Sequence, residues 1–271
     1  MTQWDDCPRA PVDEVRRDPD SWFRGYFLVS HGRDETAYRR DLDELRRRDL
    51  FLFSVGDVTG KHVLDVACGS GLYLTLLALM GARVSGQDIS ADAIAVAKQT
   101  LERFALAGRV EVGDATRLLF DDNSFDAVVS GDFIEHITEE QKRLFFAEVF
   151  RVLKPGGVFS IKTPNLTYLR LSLALKRLAA IARFRSPRIW IEHTRGNPDY
   201  EHHGLTTYRR LRGALLETLF HQPAFVIQPL SKPGVPRGLQ HILPTLPVLW
   251  PLFNCHLIVV ARKPLGLGYF K

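Results

Sequence analysis

The sequence predicts an α/β fold, doubly wound, in which a mostly parallel sheet carries helices on both faces. From residue 62 to residue 163, short apolar runs alternate with stretches of helical periodicity. That alternation is typical of a parallel sheet covered by helices. The run 63–66 is followed at once by a Gly-x-Gly turn, Gly69 and Gly71, and then by apolar residues at helical spacing. This order indicates a buried strand, a tight loop and the start of a helix.

The composition suits one large domain, or one domain with an extension. The chain has 271 residues, 45% of them hydrophobic, and a net charge of +5, which permits contact with an acidic surface or substrate. Cys7, Cys68 and Cys255 lack metal-site spacing and favour a reducing compartment without a disulfide framework. From its polar composition we expect the start not to act as a signal peptide, and prolines interrupt the apolar run 242–261. We therefore expect a cytoplasmic protein, with peripheral contact at the membrane surface as an alternative.

Residues 1–55 are predicted to form an N-terminal helical cap or lid. An aromatic-rich patch lies at 22–28, and the stretch 34–53 carries apolar residues on one face and many charges on the other, as a surface helix does. The patch has two interpretations: it packs on the domain, or it covers the substrate. Residues 56–271 are predicted to form the main domain.

The elements of the main domain follow in chain order. Ser90 and Thr138 precede helical patterns at 91–105 and 139–153, and both side chains suit an N-cap. The glycines at 156 and 157 are predicted to close the second of these helices. Strands are predicted at 63–66, 82–88, 110–112, 125–130, 158–162, 224–228 and 255–261, and a last helix at 206–220.

Two segments depart from this alternation: a basic helix and loop at 164–205, and a Pro-rich insertion at 229–254. The helix is predicted over 166–184. A surface helix normally packs its apolar face on the core, and the alternative is a role at a membrane surface or with an acidic substrate. We expect both segments to flank the substrate pocket. The apolar face of the helix comprises Leu171, Leu175, Leu178, Ala179 and Ala182, and its other side carries Arg170, Lys176, Arg177 and Arg183.

Three carboxylates end successive predicted strands: Asp65, Asp88 and Asp114. A carboxylate at the first strand tip repels a pyrophosphate, and Leu74 stands where a dinucleotide fingerprint needs its third glycine. The same carboxylate suits an ammonium group. Asp88 is placed to accept from ribose hydroxyls and Asp114 from an adenine amine. A ligand with an amine, a ribose and an adenine but no phosphate is S-adenosylmethionine.

Five motifs resemble those of class I S-adenosylmethionine-dependent methyltransferases, in order and spacing. They span roughly residues 60 to 163, and they are Asp65–Gly71 (DVACGSG), Gln87–Ser90 (QDIS), Gly113–Ala115 (GDA), Phe125–Val129 (FDAVV) and Leu153–Gly157 (LKPGG). The resemblance implies a Rossmann-like sheet of seven strands with an antiparallel edge strand. It also implies that the cofactor is bound by Asp65, Ala67, Gly69, Gly71, Asp88, Ile89, Asp114, Ala115 and Ser130. Ala67 departs from the pattern, since many members carry glycine there.

The candidate catalytic residues follow the fourth strand: Asp132, Glu135 and His136. If this stretch is helical, their spacing puts all three on one face. The imidazole of His136 suits a general base, because histidine titrates near neutral pH. The alternative is that Glu135 and His136 only orient other groups.

A divalent metal is a further alternative for this stretch. With His203, the two carboxylates and His136 make a mixed oxygen and nitrogen ligand set. The set resembles that of small-RNA 2'-O-methyltransferases and of some ubiquinone-pathway O-methyltransferases. It departs from them in having Asp132 as its first acid instead of glutamate, and the distal motif does not otherwise match the RNA enzymes.

The resemblance implies methyl transfer to a small-molecule acceptor, an oxygen of a phenol, a sugar or a lipid-linked precursor. Two alternatives stay open: an RNA 2'-O-methyltransferase with a metal site, and a protein that binds S-adenosylmethionine without turnover. The sequence shows no RNA-binding module, which disfavours nucleic acid as a partner. It does not indicate an oligomeric state.

Overall fold

The computed structural model describes residues 49–189, 202–227, 238 and 250–266. The predicted aromatic patch at 22–28, most of the helix predicted at 34–53 and most of the Pro-rich insertion lie outside these residues. Whether residues 1–55 act as a lid therefore stays a prediction.

The described elements alternate as the sequence predicts. The helices are α1 (Leu50–Ser54), α2 (Leu72–Leu79), α3 (Ala91–Arg103), α4 (Glu139–Val152), α5 (Leu166–Ala182), α6 (Tyr208–Glu217) and α7 (Trp250–Phe253), with a single 3-10 turn at Ile134–His136. The strands are β1 (His62–Val66), β2 (Arg83–Asp88), β3 (Gly108–Val112), β4 (Phe125–Gly131), β5 (Leu153–Pro164), β6 (His221–Val226) and β7 (His256–Arg262).

The seven strands form one sheet in the order β3-β2-β1-β4-β5-β7-β6, which confirms the predicted fold class. The first five strands in the chain pair in parallel. β7 runs antiparallel to both β5 and β6, so the edge strand β6 pairs antiparallel with its neighbour. The carboxyl ends of β1 to β5 and the start of β7 therefore meet at one edge of the sheet, which we call the carboxyl edge.

The two faces of the sheet bury separate cores, because successive strand residues point to opposite sides. On one face Leu64, Val128 and Phe159 pack with α4 and α6. On the other face Val63, Val129 and Ile258 pack with α1, α2 and α3. Every helix except α5 and α7 thus contributes buried residues to one of these two cores, among the elements described.

Both predicted N-caps are confirmed. The Ser90 hydroxyl accepts from the Ala93 amide at 3.0 Å. The Thr138 hydroxyl accepts from the Gln141 amide at 3.3 Å, and the Gln141 side chain accepts in return from the Thr138 amide at 2.9 Å. This reciprocal pair satisfies two backbone donors at the start of α4.

The fifth strand begins at Leu153, five residues earlier than predicted. Phe125 pairs with Leu153 and Ala127 with Val158, so the register shifts between these two pairs. The backbone of Gly156 is left-handed, with φ of 78°. The predicted helix closure was wrong, because the glycines bend the first part of the strand and α4 has already ended at Val152.

We predict that Thr138→Ala lowers the free energy of unfolding by about 1 kcal/mol, because the Gln141 amide at the start of α4 loses its acceptor and the reciprocal pair of bonds is broken. Thr207→Ala is the matched control. Thr207 caps α6 through one longer bond of 3.4 Å, so its loss should be smaller. Equal losses in urea titrations of the two variants would contradict the capping-box assignment.

Candidate active site at the carboxyl edge

The loop after β1 turns through three left-handed residues: Ala67, Gly69 and Gly71, with φ of 59°, 52° and 81°. Gly71 is the N-cap of α2, and a Cβ there would lie 3.1 Å from Ala97. The tight turn therefore brings bare backbone and the start of α2 against α3. A loop of this kind leaves amide groups accessible to a ligand.

Ala67 is the one residue of this turn that bears a side chain in a left-handed conformation. Such a conformation costs roughly 1–2 kcal/mol for an L-residue. The Ala67 amide donates to the Gln87 carbonyl at 2.8 Å, which holds the strained residue against β2. Alanine at this position therefore keeps the conformation of the loop, but it lowers the stability of the folded protein.

Asp65 is a buried carboxylate at the end of β1. The Leu74 amide in the first turn of α2 donates to it, and its Oδ2 has no hydrogen-bond partner among the described residues. Burial, and then the charge of Asp88, raise the pKa of Asp65 well above its usual range. A cationic donor at Oδ2 would satisfy this buried oxygen and stabilise its charge.

Asp88 ends β2 and fixes the glycine loop. Its Oδ2 accepts from the Gly69 amide at 2.9 Å, and its Oδ1 accepts from the Ser90 amide at 2.9 Å. The next residue, Ile89, is 58% exposed. The carboxylate therefore has a structural task in the protein, and its predicted contact with ribose stays a prediction.

Asp114 follows β3 in a turn that Gln87 holds in place. One Asp114 oxygen accepts from the Thr116 amide and hydroxyl at 2.8 and 2.9 Å, which leaves the second oxygen for other contacts. The buried Gln87 amide donates to the Asp114 carbonyl at 2.8 Å and accepts from the Leu119 amide at 3.0 Å. Ala115 lies half-buried in the same turn.

Ser130 lies near the end of β4, fully buried, and its hydroxyl has no partner among the described residues. It points to the face that carries Val128, where α4 and α6 pack. An unsatisfied buried hydroxyl is uncommon. Its assignment to the cofactor stays a prediction.

Glu135, His136 and His202 form a cluster, which we call the acid–histidine cluster. One ligating atom from each lies within 4.8 Å of the others, and the two imidazoles meet edge to face with centroids 4.7 Å apart. Glu135 is buried and accepts from the Thr163 hydroxyl at 2.9 Å. Burial, and then the charge of Asp132, raise the pKa of Glu135 to about 8, so its carboxyl is mostly protonated at neutral pH.

Gly204 positions His202 beside His136. Its amide donates to the Glu135 carbonyl at 2.8 Å, and its carbonyl accepts from the buried Lys142 ammonium. A Cβ on Gly204 would lie 2.6 Å from the Ile134 carbonyl oxygen and closer still to that of Ile137. Only glycine fits this contact, which brings the 202–204 segment against the 3-10 turn.

Asp132 lies apart from that cluster. Its backbone is left-handed, with φ of 53°, and its Oδ2 accepts from the Lys162 ammonium at 2.7 Å. Burial opposes the charge on Lys162, but the neighbouring Asp132 raises the pKa of Lys162 above its usual range. Lys162 and Thr163 are consecutive in β5 and point to opposite faces. Asp132 and Glu135 are therefore held by partners on opposite sides of the sheet.

Tyr73 and His256 join Lys162 on its side. Lys162 donates to the Tyr73 hydroxyl at 3.3 Å, which donates in turn to Asp49 at 3.1 Å. Burial lowers the pKa of His256 at the start of β7, and the charges of Asp132, Lys162 and Asp49 act on it. We call Asp49, Tyr73, Asp132, Lys162 and His256 the lysine cluster.

The structure thus brings together some of the predicted residues and separates others. Glu135 and His136 meet, and the nearby histidine from the distal loop that joins their ligand set is His202, where the sequence pointed to His203. Sequence reasoning missed the roles of Gln87 and Gly204, and it missed every member of the lysine cluster except Asp132. A glycine directly after two histidines was the one local signal for the contact of the distal loop.

Comparisons with known proteins agree with this geometry. Residues 63–157 match the family model for a methyltransferase domain. A demethylmenaquinone methyltransferase of Clavibacter sepedonicus is 38% identical over 122 residues, 43% of this chain and 48% of that protein. A ubiquinone biosynthesis O-methyltransferase of Coxiella burnetii is 36% identical over 109 residues, 40% of this chain and 46% of that protein. The chain spans about half the length of these relatives.

Solved structures share the fold. A Pyrococcus horikoshii protein has a TM-score of 0.56 at 24% identity, covering 90% of this chain and 98% of its own. A SAM-dependent methyltransferase from Methanosarcina mazei has a TM-score of 0.54 at 23% identity, covering 76% of this chain and 94% of its own. At these identities the likeness is one of fold.

We predict that Asp65→Asn stabilises the free protein at pH 8 and leaves it nearly unchanged at pH 4. A carboxyl whose pKa is raised by folding stabilises the fold below its ordinary pKa, and that contribution is lost as the pH rises through the raised value. Melting temperatures across this range test the prediction. Asp88→Asn is the contrasting variant and should destabilise by about 1–3 kcal/mol, because an amide NH2 would face a backbone donor. A pH-independent difference for Asp65→Asn would contradict the burial argument.

We predict that Gly204→Ala destabilises by about 1–3 kcal/mol and lowers turnover, because the added methyl forces the 202–204 segment off the 3-10 turn. Gly213→Ala is the control: a Cβ there meets nothing within 4 Å, and alanine favours the helix. Unfolding curves and turnover numbers measured for both variants test this prediction. Wild-type behaviour of Gly204→Ala would show that this contact does not position His202.

Proposed function

Because the chain belongs, through residues 63–157, to the class I S-adenosylmethionine-dependent methyltransferase family, we propose that it transfers a methyl group to an oxygen of a small-molecule acceptor. The acceptor classes in view are a phenol, a sugar and a lipid-linked precursor. The names of the two relatives favour the first and third, since both refer to quinones and one specifies an oxygen.

The observation that carries the proposal is the buried carboxylate of Asp65. Its unpartnered Oδ2 fits the ammonium group of S-adenosylmethionine, which stabilises the ionised carboxylate, whereas a phosphate would oppose that ionisation. Asp88 and Asp114 end the next two strands in the sheet order. We assign them to the ribose and the adenine, with Gly69 and Gly71 giving the ligand access to the backbone.

We also use the sheet order to assign a side of the carboxyl edge to the acceptor. Asp65 and Asp88 lie at the ends of β1 and β2, and Asp114 follows β3, so we assign the cofactor to that half of the carboxyl edge. The ends of β4 and β5 and the start of β7 make up the other half, where both clusters lie. We assign this half to the acceptor.

S-adenosylmethionine supplies a methyl group on a sulfonium, which makes the methyl susceptible to in-line attack. The chain has to align the acceptor, exclude water and take up the acceptor's proton. We assign the proton to His136, whose ring lies against His202. Glu135 is mostly protonated at neutral pH and is available as a hydrogen-bond donor, while Asp132 and Lys162 form a fixed ion pair at the acceptor's side.

The same cluster offers a ligand set for a divalent ion, now with His202 in place of His203 and without Asp132, which is paired with Lys162. Two imidazoles and one carboxylate suit a transition metal. Such an ion would orient an acceptor oxygen and would need a neutral imidazole and an ionised Glu135. Among the described residues, no contact favours the RNA alternative or the non-catalytic one.

We predict that label from methyl-labelled S-adenosylmethionine, incubated with the protein and fractionated cell extract, enters a small-molecule or lipid fraction. If the labelled methyl group stays on an oxygen of the product after alkaline treatment, the product is a methyl ether. Label in RNA would overturn the acceptor assignment, and binding of the cofactor without any labelled product would overturn the activity.

We predict that His136→Ala lowers turnover by about 10²–10⁴-fold while the affinity for S-adenosylhomocysteine changes little. His221→Ala is the control, since His221 is exposed at the start of β6, at the opposite edge of the sheet. The same assay in the presence of a chelator distinguishes a free base from a metal ligand at His136. Loss of activity with a chelator and its return with a divalent ion would assign His136 to a metal and contradict its role as the free base.

A further inference from the structure

The apolar face of α5 points away from the protein. Leu175, Leu178 and Ile181 are 57%, 63% and 56% exposed. Ala180 is the only residue that the helix buries. An ordinary surface helix does the reverse, with its apolar face on the core.

The exposed residues form one continuous stripe. With 3.6 residues per turn, the stripe residues fall within an arc of roughly 160°, and Leu173 and Ala180 lie on the opposite side of the helix. Lys176 and Arg183 border the arc on one side, and Arg170 and Arg177 border it on the other. The stripe comprises Leu171, Ala174, Leu175, Leu178, Ala179, Ile181 and Ala182.

The segment is also uniformly positive. Residues 166–189 contain no aspartate or glutamate, and their charged residues are Arg170, Lys176, Arg177, Arg183, Arg185 and Arg188. The Arg177 guanidinium donates to the Ile189 carbonyl at 2.8 Å, which folds the basic end back on the helix. A second protein surface with mixed charges would not match this pattern, whereas an anionic surface does.

Phe184 closes the helix in an unfavourable conformation. The Arg185 amide donates to Ala180 and the Phe184 amide to Ile181, at 2.8 and 2.9 Å, which places Phe184 at the left-handed position where glycine is usual. Its φ is 53° and its side chain is fully exposed. The ring thus gains no burial from the protein in return for the strain.

The start of α5 is firmly held. The Asn165 amide group donates to the carbonyls of Pro251 and Asn254, and its side-chain oxygen caps the Thr167 amide. Among the described residues, no helix is long and apolar enough to cross a membrane. A helix fixed at one end, apolar outward and bordered by cations, has the features of one that lies in the plane of a lipid surface.

We propose that α5 and Phe184 dock the protein on an anionic lipid bilayer. The apolar stripe enters the headgroup boundary, and the bordering arginines and Lys176 contact lipid phosphates. Phe184 inserts its ring at the end of the helix. The inference stands on the surface of α5 and does not depend on the proposed methyl transfer.

The test is sedimentation of the full chain with vesicles of phosphatidylcholine and phosphatidylglycerol, compared with phosphatidylcholine alone. We expect binding to the anionic vesicles, weakened by salt. Leu178→Asn and Phe184→Gly should each reduce the partition coefficient at least about tenfold. Phe184→Gly relieves backbone strain and should melt no lower than the wild type, so its loss of binding is not a loss of folding.

Leu219→Gly is the matched control. Leu219 is also exposed and left-handed, with φ of 65°, but it precedes β6 at the opposite edge of the sheet. Its binding should equal that of the wild type. Absence of binding to anionic vesicles, or binding that survives both α5 substitutions, would overturn the proposal. So would sedimentation velocity showing a dimer that Leu178→Asn dissociates, since a second copy would then cover the stripe.

Discussion

The organising constraint of the site is a carboxyl group that the fold removes from water. Asp65 is buried near the end of β1, directly before the loop that turns through Gly69 and Gly71. One oxygen is left without a partner among the described residues. A buried carboxylate that lacks a donor is costly to ionise. A cationic ligand removes that cost, so the same atom that weakens the empty protein strengthens the complex. The loop, the caps around it and Gln87 all serve to keep this geometry fixed.

The sheet then divides its carboxyl edge by strand order and by face. The strands that end in acids lie on one half, and β4, β5 and β7 make the other half. Within that second half, the alternation of Lys162 and Thr163 sends one cluster to each face. The lysine cluster is held together by the ion pair between Asp132 and Lys162, which fixes its geometry. The acid–histidine cluster is held by the Gly204 contact and by the Thr163 hydroxyl, and burial raises the pKa of its glutamate. We therefore assign proton transfer to the acid–histidine cluster.

Much of the fold was predictable because its signals are local. Apolar runs locate the strands, Ser90 and Thr138 cap helices through neighbouring residues, and a carboxylate at a strand end stays at the strand end. The rest depends on contacts between distant residues. Asp132 has helical spacing to Glu135, but a left-handed backbone and Lys162, thirty residues on, turn it to the other face. His202 and His203 are neighbours, and only the packing of Gly204 selects the first. The periodicity of the sequence predicted the apolar stripe of α5, but it does not show whether that stripe faces the core or points away from the protein.

The most direct test of the account is the number of protons that leave the protein when it binds S-adenosylhomocysteine. Calorimetry in buffers of different ionisation enthalpy, repeated across the neutral pH range, measures this number. If Asp65 is protonated in the free protein and ionised beside the ligand's ammonium, binding should release a proton, and Asp65→Asn should abolish the release. Binding with no net proton release in the wild type at any pH, or with the same release in both proteins, would contradict the central role of Asp65.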